Sequence, residues 1–219
     1  MFDMDGVILD SQPVWGQVMH ELFAAHGLRF TDFDQSAFLG GDNSLQWASY
    51  LRRFGGIPLE DEEILAWVIA RLIDHFSEQL PMMPGAEEAV ERLASSYHLA
   101  LASSSPREVI AFVLEESGLR RFFTAWASSD DVPRGKPSPD VYLRACALID
   151  RDPSGCVAIE DSSVGVQAAH SAGLRVIAIP HTSLPLDPAA FELADLAIPS
   201  ISRLAAETVR SVLSSCPNQ

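Results

Sequence analysis

Two aspartates, Asp3 and Asp5, lie one residue apart near the start of the sequence, and Gly6 follows them. Side chains alternate along an extended segment, so both carboxylates can face the same substrate. Asp3 could attack phosphorus and form an aspartyl-phosphate, which would divide one difficult displacement into two easier ones. Asp5 could then protonate the leaving alkoxide and later deprotonate the attacking water. Gly6 would let the chain turn beside the bound group without a clashing side chain.

The elements that must position these aspartates alternate between helices and short apolar strands from residue 84 onward. This alternation predicts an α/β fold, a Rossmann-like parallel sheet covered by helices on both faces. The predicted strands are 98–102, 124–128, 156–159, 175–179 and 195–198. Two helix starts are also predicted, one from a capping box formed by Ser105 and Glu108, the other from Pro139 as the first helical residue.

Before this region, residues 12–79 carry apolar side chains at helical spacing and predict an all-helical insert. Gly27 is the expected C-terminal cap of its first helix. We therefore expect two domains, with residues 1–11 and 80–219 forming the core and residues 12–79 forming a helical cap.

Polar residues follow the ends of three predicted strands, and they define a candidate pocket. Ser103, Ser104 and Ser105 follow the first, Lys136 lies beyond the second, and Glu160 and Asp161 follow the third. The carboxyl ends of parallel strands share one edge of a sheet, where ligands bind, so these groups should converge with the two aspartates. Four carboxylates beside one lysine cannot all stay ionised unaided. An all-oxygen ligand set suits Mg²⁺, and phosphate would then be the natural substrate group.

Four motifs occur in order along the sequence, each at a predicted strand end: residues 3–11 (DMDGVILDS), Ser103, Lys136 within residues 135–140 (GKPSPD), and residues 159–162 (IEDS). This set resembles the haloacid dehalogenase superfamily. The resemblance covers nearly the whole chain, including a helical cap inserted directly after the first motif.

The resemblance implies a role for each motif. It implies that Asp3 is the nucleophile, that Asp5 is the general acid and base, and that Ser103 and Lys136 bind the transferred phosphoryl group. The implied Mg²⁺ ligands are Asp3, Asp161 and the backbone carbonyl of Asp5, with Glu160 supporting the metal shell. An aspartate two residues after the nucleophile is typical of the phosphoryl-transfer members and not of the dehalogenases.

Within the superfamily, the sequence is similar to sugar-phosphate phosphatases and to beta-phosphoglucomutase. Trp15 stands where the mutase has a histidine, and Pro106 and Arg107 stand where it has lysine and asparagine. Both departures favour hydrolysis. Residues 11–15 (SQPVW) and 102–106 (ASSSP) look most like bacterial hexose-phosphate phosphatases that accept 2-deoxyglucose 6-phosphate.

Substrate specificity is expected to lie in the cap. The glycine-rich loop at residues 39–43 is a candidate to close over the substrate. Trp15 could contact the substrate or pack in the cap core. The candidate substrate-binding residues are Ser104, Arg107, Asn43, Trp15 and Arg71.

Two alternatives to a phosphatase remain open from the sequence. One is beta-phosphoglucomutase activity. The other is a phosphate-binding protein with little turnover, because the nucleophile should end a buried strand of about five residues and only Met1 and Phe2 precede Asp3. For the same reason we expect the natural product to start a few residues upstream.

Composition excludes several functional classes. Acidic residues outnumber basic ones 30 to 15, for a formal net charge of -15, which argues against nucleic acid and anionic membranes as partners. No run reaches the roughly 18 apolar residues of a membrane helix. Three cysteines without metal-site spacing favour a cytoplasmic protein in which Cys146 and Cys156 are buried thiols. We expect a monomer that binds a small phosphate ester.

Overall fold

The computed structural model describes residues 1–30, 43–180 and 187–215. Three helices come first in the described chain: α1 (Gln12–Ala25), α2 (Ser44–Gly55) and α3 (Asp61–Glu78). Helices and strands then alternate: α4 (Ala86–Ala94), β1 (Leu99–Ser103), α5 (Arg107–Glu116), β2 (Phe123–Ser128), α6 (Asp140–Leu148), β3 (Val157–Glu160), α7 (Ser163–Ser171), β4 (Arg175–Ala178), α8 (Pro188–Glu192), β5 (Leu196–Ala197) and α9 (Ala206–Ser214). The α/β architecture expected from the sequence is confirmed.

The described strands form a parallel sheet whose two parts are joined by the first residues of the chain. β1 pairs with β2, and β3 pairs with β4, which pairs with β5. Phe2 makes parallel bridges to both Leu101 and Ile159, and so lies between β1 and β3. The Phe2 N–H donates to the Ala100 carbonyl over 2.9 Å, and the Asp3 N–H donates to the Ile159 carbonyl over 3.0 Å. This pairing delivers Asp3 to the carboxyl edge of the sheet.

The predicted strands agree with the observed ones to within one residue at every end. The segment predicted at 98–102 is β1, and that predicted at 156–159 is β3. Every residue of both strands is buried, which explains why their continuous apolar runs could be recognised. The strand predicted at 195–198 is shorter, because β5 contains only Leu196 and Ala197.

The two predicted helix starts are wrong in detail. Pro106, not Ser105, is the N-cap of α5, and no side chain caps this helix. The Ser105 hydroxyl instead donates to the Asp5 carboxylate over 2.6 Å, a charge-assisted bond stronger than a neutral capping bond. Pro139 is the N-cap of α6, one residue before the first helical position.

The first three helices pack on each other and on the sheet through one apolar cluster. On α3, Ile64, Val68, Leu72 and Phe76 recur at helical spacing and are all buried. On α2, Leu51 is buried but Leu45 is exposed. The same cluster includes Met4 and Leu9, which lie within the first motif, so the helices pack directly beside the candidate site. Among the described helices, none combines the length and apolar character of a membrane span.

Candidate active site

Lys136 lies at the centre of the polar groups that converge at the carboxyl edge of the sheet. Its ammonium Nζ donates to Asp3 Oδ1 over 2.7 Å and to Glu160 Oε1 over 2.6 Å. A third bond of 3.2 Å reaches the Ala102 carbonyl near the end of β1. Lys136, Asp3 and Glu160 are all buried, so these charges interact with little screening by water. The convergence predicted from the strand ends is therefore present.

Burial dominates the electrostatics of this cluster. It raises the pKa of Asp3 to about 8, although the adjacent Lys136 acts in the opposite direction. Burial likewise raises the pKa of Asp161 well above its usual range, and the charges of Asp3 and Glu160 add to the effect. Burial alone would lower the pKa of Lys136, but the carboxylates of Asp3 and Glu160 raise it above its ordinary value. Lys136 therefore stays charged, while the raised pKa values of Asp3 and Asp161 favour their protonated forms.

The three carboxyl groups form a candidate metal centre. Asp3, Glu160 and Asp161 each offer an oxygen, and these oxygens lie within 4.8 Å of one another. Three carboxylates beside one ammonium leave an excess of negative charge that a divalent cation would offset. Oxygen-only ligands suit Mg²⁺ better than zinc. The residues present therefore fit the magnesium site expected from the sequence.

Asp5 is set apart from this cluster by its own hydrogen-bond donors. Its Oδ1 accepts from the Ser11 hydroxyl over 2.5 Å and from the Trp15 indole Nε1 over 3.4 Å. Its Oδ2 accepts from the Ser105 hydroxyl over 2.6 Å and from the Ser103 hydroxyl over 3.4 Å. Asp5 is only half-buried. The two aspartates thus have different partners, as a division between nucleophile and proton carrier requires.

Sequence reasoning missed two groups that hold this site in place. The Tyr142 hydroxyl donates to Glu160 Oε1 over 2.5 Å, and Tyr142 is fully buried on α6. The Ser11 hydroxyl, inside the first motif, was not recognised as a partner of Asp5. Ser11 could have been suspected from its proximity in sequence, but the contact of Tyr142 with Glu160 carries no local signal.

Gly6 has a conformation and surroundings that exclude a side chain. Its φ is +77°, in the left-handed region, and a Cβ there would overlap the Asp161 carboxylate. The tight turn expected from the sequence is therefore present, and it also makes room for a candidate metal ligand.

The substitution Gly6→Ala should lower the free energy of unfolding more than Gly118→Ala does. Both glycines have a positive φ, but a Cβ at Gly118 would meet nothing within 4 Å. The extra cost at Gly6 should be about 1–3 kcal/mol, the usual penalty for overpacking. Urea unfolding of the two variants checks this, and equal losses would show that the Asp161 contact adds no cost.

Of the candidate substrate-binding residues, Ser104 and Arg107 follow β1, and Trp15 lies on α1 beside Asp5. Ser104 is half-buried in the loop after β1. Arg107, at the start of α5, pairs with the buried carboxylate of Asp131. Trp15 is partly buried against Trp47, with their rings edge to face and centroids 5.9 Å apart.

The candidates on the helical insert have structural partners. Asn43 is the N-cap of α2, where its side-chain oxygen accepts from the Gln46 N–H over 3.0 Å. Arg71 on α3 pairs with Glu21 on α1 over 2.9 Å and so links two helices. The remainder of the predicted closing loop, residues 39–42, lies outside the described residues.

Comparisons with known proteins agree with this geometry. The family model of haloacid dehalogenase-like hydrolases matches residues 1–173. The chain is 36% identical over 212 residues to hexitol phosphatase B of Escherichia coli (strain K12), covering 94% of each protein. It is 30% identical over 193 residues to the phosphorylated carbohydrates phosphatase of Thermotoga maritima, covering 83% of this chain and 85% of that protein. The crystal structure of CbbY from Rhodobacter sphaeroides in complex with phosphate superposes with a TM-score of 0.85 at 26% identity, over 95% of this chain and 97% of that one.

Proposed function

The chain belongs to the haloacid dehalogenase-like hydrolase family, and from this premise we propose that it is a magnesium-dependent phosphatase that hydrolyses sugar phosphates through an aspartyl-phosphate on Asp3. One observation carries the proposal. Asp3 lies buried against Lys136 and beside Glu160 and Asp161, while Asp5 lies two residues away with separate partners.

The reaction follows from the groups at the edge of the sheet. An Asp3 oxygen attacks phosphorus as the bond to the leaving sugar oxygen breaks, and Asp5 gives its proton to that oxygen. Asp5 then takes a proton from water as the water oxygen attacks phosphorus and the bond to Asp3 breaks, which releases phosphate. Lys136 and Ser103 bind the phosphoryl oxygens throughout.

Mg²⁺ would be held by Asp3 and Asp161, with the Asp5 carbonyl as a further ligand and Glu160 supporting the shell. When bound, the ion would offset the carboxylate charge and withdraw electron density from the phosphoryl group. The raised pKa of Asp3, about 8, supports this assignment, because a nearby cation would favour the ionised carboxylate near neutral pH.

The class of substrate is supported by the relatives. One is named a hexitol phosphatase, another a phosphorylated carbohydrates phosphatase, and the CbbY crystal contains phosphate. We propose that residues 12–79 act as a cap over a core of residues 1–11 and 80–219, and that the substrate lies between them. Ser104 and Arg107 would contact the sugar from the core side of this space, and Trp15, Asn43 and Arg71 from the cap.

We further propose that the enzyme works as a monomer in the cytoplasm. The thiols of Cys146 and Cys156 support a reducing compartment, because their sulfurs are 3.9 Å apart and unbonded. Sedimentation of the purified protein tests the oligomeric state.

Phosphate release from a panel of hexitol, hexose, pentose and triose phosphates tests the function. We expect release with Mg²⁺, a fall to background when a chelator is added, and full recovery when Mg²⁺ is restored in excess. Release that persists in chelator would contradict the metal requirement. Conversion of beta-glucose 1-phosphate to glucose 6-phosphate without free phosphate would instead identify a mutase.

A further inference from the structure

A carboxylate from the sheet side of the molecule holds the first turn of α2. Asp130 lies in the 3₁₀ turn Ser129–Asp131, directly after β2. Its Oδ1 accepts from the Ser44 N–H over 2.8 Å, and its Oδ2 accepts from the Ser44 hydroxyl over 2.9 Å. Ser44 is the first residue of α2, is 86 positions away in sequence, and is buried. The contact therefore joins the helical insert to the loop after β2.

The chemistry of this contact suits a helix start. The first N–H groups of a helix have no partner within the helix, and a negative charge near them is favourable. Asn43 satisfies the N–H of Gln46, and Asp130 satisfies the N–H of Ser44. α2 is thus completed at its N-terminus by a residue from outside the insert.

Hydrogen bonds continue from Asp130 to the carboxylate of Asp5. The Asp130 N–H donates to the Ser128 hydroxyl over 3.1 Å, and that hydroxyl donates to the Ser105 carbonyl over 2.7 Å. The Ser105 hydroxyl then donates to Asp5 Oδ2 over 2.6 Å. Ser128 and Ser105 are both buried, so water does not compete for these bonds.

α2 also contacts a donor to the other oxygen of Asp5. Trp47 on α2 lies edge to face against Trp15, whose indole Nε1 donates to Asp5 Oδ1 over 3.4 Å. The contacts of Asp130 and α2 therefore connect to donors of both oxygens of the Asp5 carboxylate.

We propose that Asp130 is a positioning residue that couples the docking of α2 to the orientation of Asp5. It holds the first turn of α2 against the turn after β2, and the Asp5 carboxylate is thereby aligned for its proton transfers. The proposal rests on the proposed function, since it assigns Asp130 an effect on the general acid of that reaction.

The substitution Asp130→Asn tests the proposal, with Asp152→Asn as a matched control. The amide removes the charge and can accept only one of the two Ser44 bonds. Asp152 also accepts from the N–H and the hydroxyl of one serine, Ser154, over 2.9 Å and 2.6 Å, although both bonds are to its Oδ1, and it lies before β3, at the opposite edge of the sheet.

Two classes of substrate distinguish a positioning role of Asp130 from a general loss of active-site structure. The value of kcat/KM reports the steps up to departure of the leaving group. A sugar alkoxide needs a proton from Asp5 in order to leave, whereas p-nitrophenolate leaves without one. Asp130→Asn should lower kcat/KM for the sugar phosphate about 10-fold, because a hydrogen bond to a charged group is lost. For p-nitrophenyl phosphate, kcat/KM should fall by less than about 3-fold. Asp152→Asn should leave both values unchanged. Equal losses for both substrates, or none, would overturn the proposal.

Hydrogen exchange tests the docking without any substrate. Amides in the first turn of α2 should exchange faster in Asp130→Asn than in the unmodified protein and should not change in Asp152→Asn. Adding Ser44→Ala to Asp130→Asn should produce little further change, because both substitutions remove the same contact. Unchanged exchange would overturn the docking role even if no ester were hydrolysed, so failure of the proposed function and failure of this inference can be told apart.

Discussion

Replacement of Asp3 by asparagine should abolish phosphate release, with kcat/KM falling by at least about 10³-fold. The amide cannot form the aspartyl-phosphate, so the reaction loses its first step. In the unmodified protein, Lys136 Nζ donates to Asp3 Oδ1 over 2.7 Å. The amide oxygen of the asparagine can accept the same hydrogen bond, so the fold should be retained. Phosphate release and thermal unfolding should be measured on the same preparation.

Asp152→Asn is a suitable control for this experiment. Asp152 lies before β3, is exposed, and bonds the neighbouring Ser154. Its substitution should leave phosphate release close to that of the unmodified protein. If Asp3→Asn stayed folded and kept a substantial fraction of the activity, Asp3 could not be the nucleophile.

Lys136→Met should damage both stability and activity. Lys136 is buried and is the only lysine in the sequence, and its ammonium bonds Asp3 and Glu160. Removing one partner of a buried ion pair leaves uncompensated charge, so the free energy of unfolding should fall by about 3–5 kcal/mol. Loss of the cation beside the phosphoryl group should lower kcat/KM roughly 10²- to 10³-fold. Urea unfolding and initial rates check the two expectations.

Arg134→Met provides the matched control, because Arg134 lies two residues away and its guanidinium, which pairs with Asp140, is on an exposed side chain. Exposed ion pairs contribute little to stability, so this variant should resemble the unmodified protein. If Lys136→Met were as stable and as active as Arg134→Met, the central role given to Lys136 would be wrong.

The sheet and the convergence of its polar edge could be predicted because both depend on local patterns. Buried strands such as β1 are continuous apolar runs, and the topology of a parallel sheet brings their carboxyl ends to one edge. Ser103, Lys136 and Asp161 follow such runs in the sequence. Their positions were therefore available once the strands were recognised.

The partners of these residues could not be predicted in the same way, because they depend on packing between distant segments. The local pattern at Ser105 predicts a helix cap, but its hydroxyl instead donates to Asp5, which is distant in sequence. Tyr142 and Glu160 are 18 positions apart in the sequence, and Asp130 and Ser44 are 86 positions apart. Nothing in either neighbourhood identifies the other partner.

Trapping the covalent intermediate tests the central claim most directly. The protein, with Mg²⁺ and a hexitol or hexose phosphate, would be quenched with acid during turnover, digested, and analysed by mass spectrometry. The account predicts a phosphoryl group on the peptide that contains Asp3, and its absence when Mg²⁺ is chelated. Phosphate release without any phosphorylated peptide, or with the phosphoryl group on another residue, would contradict it.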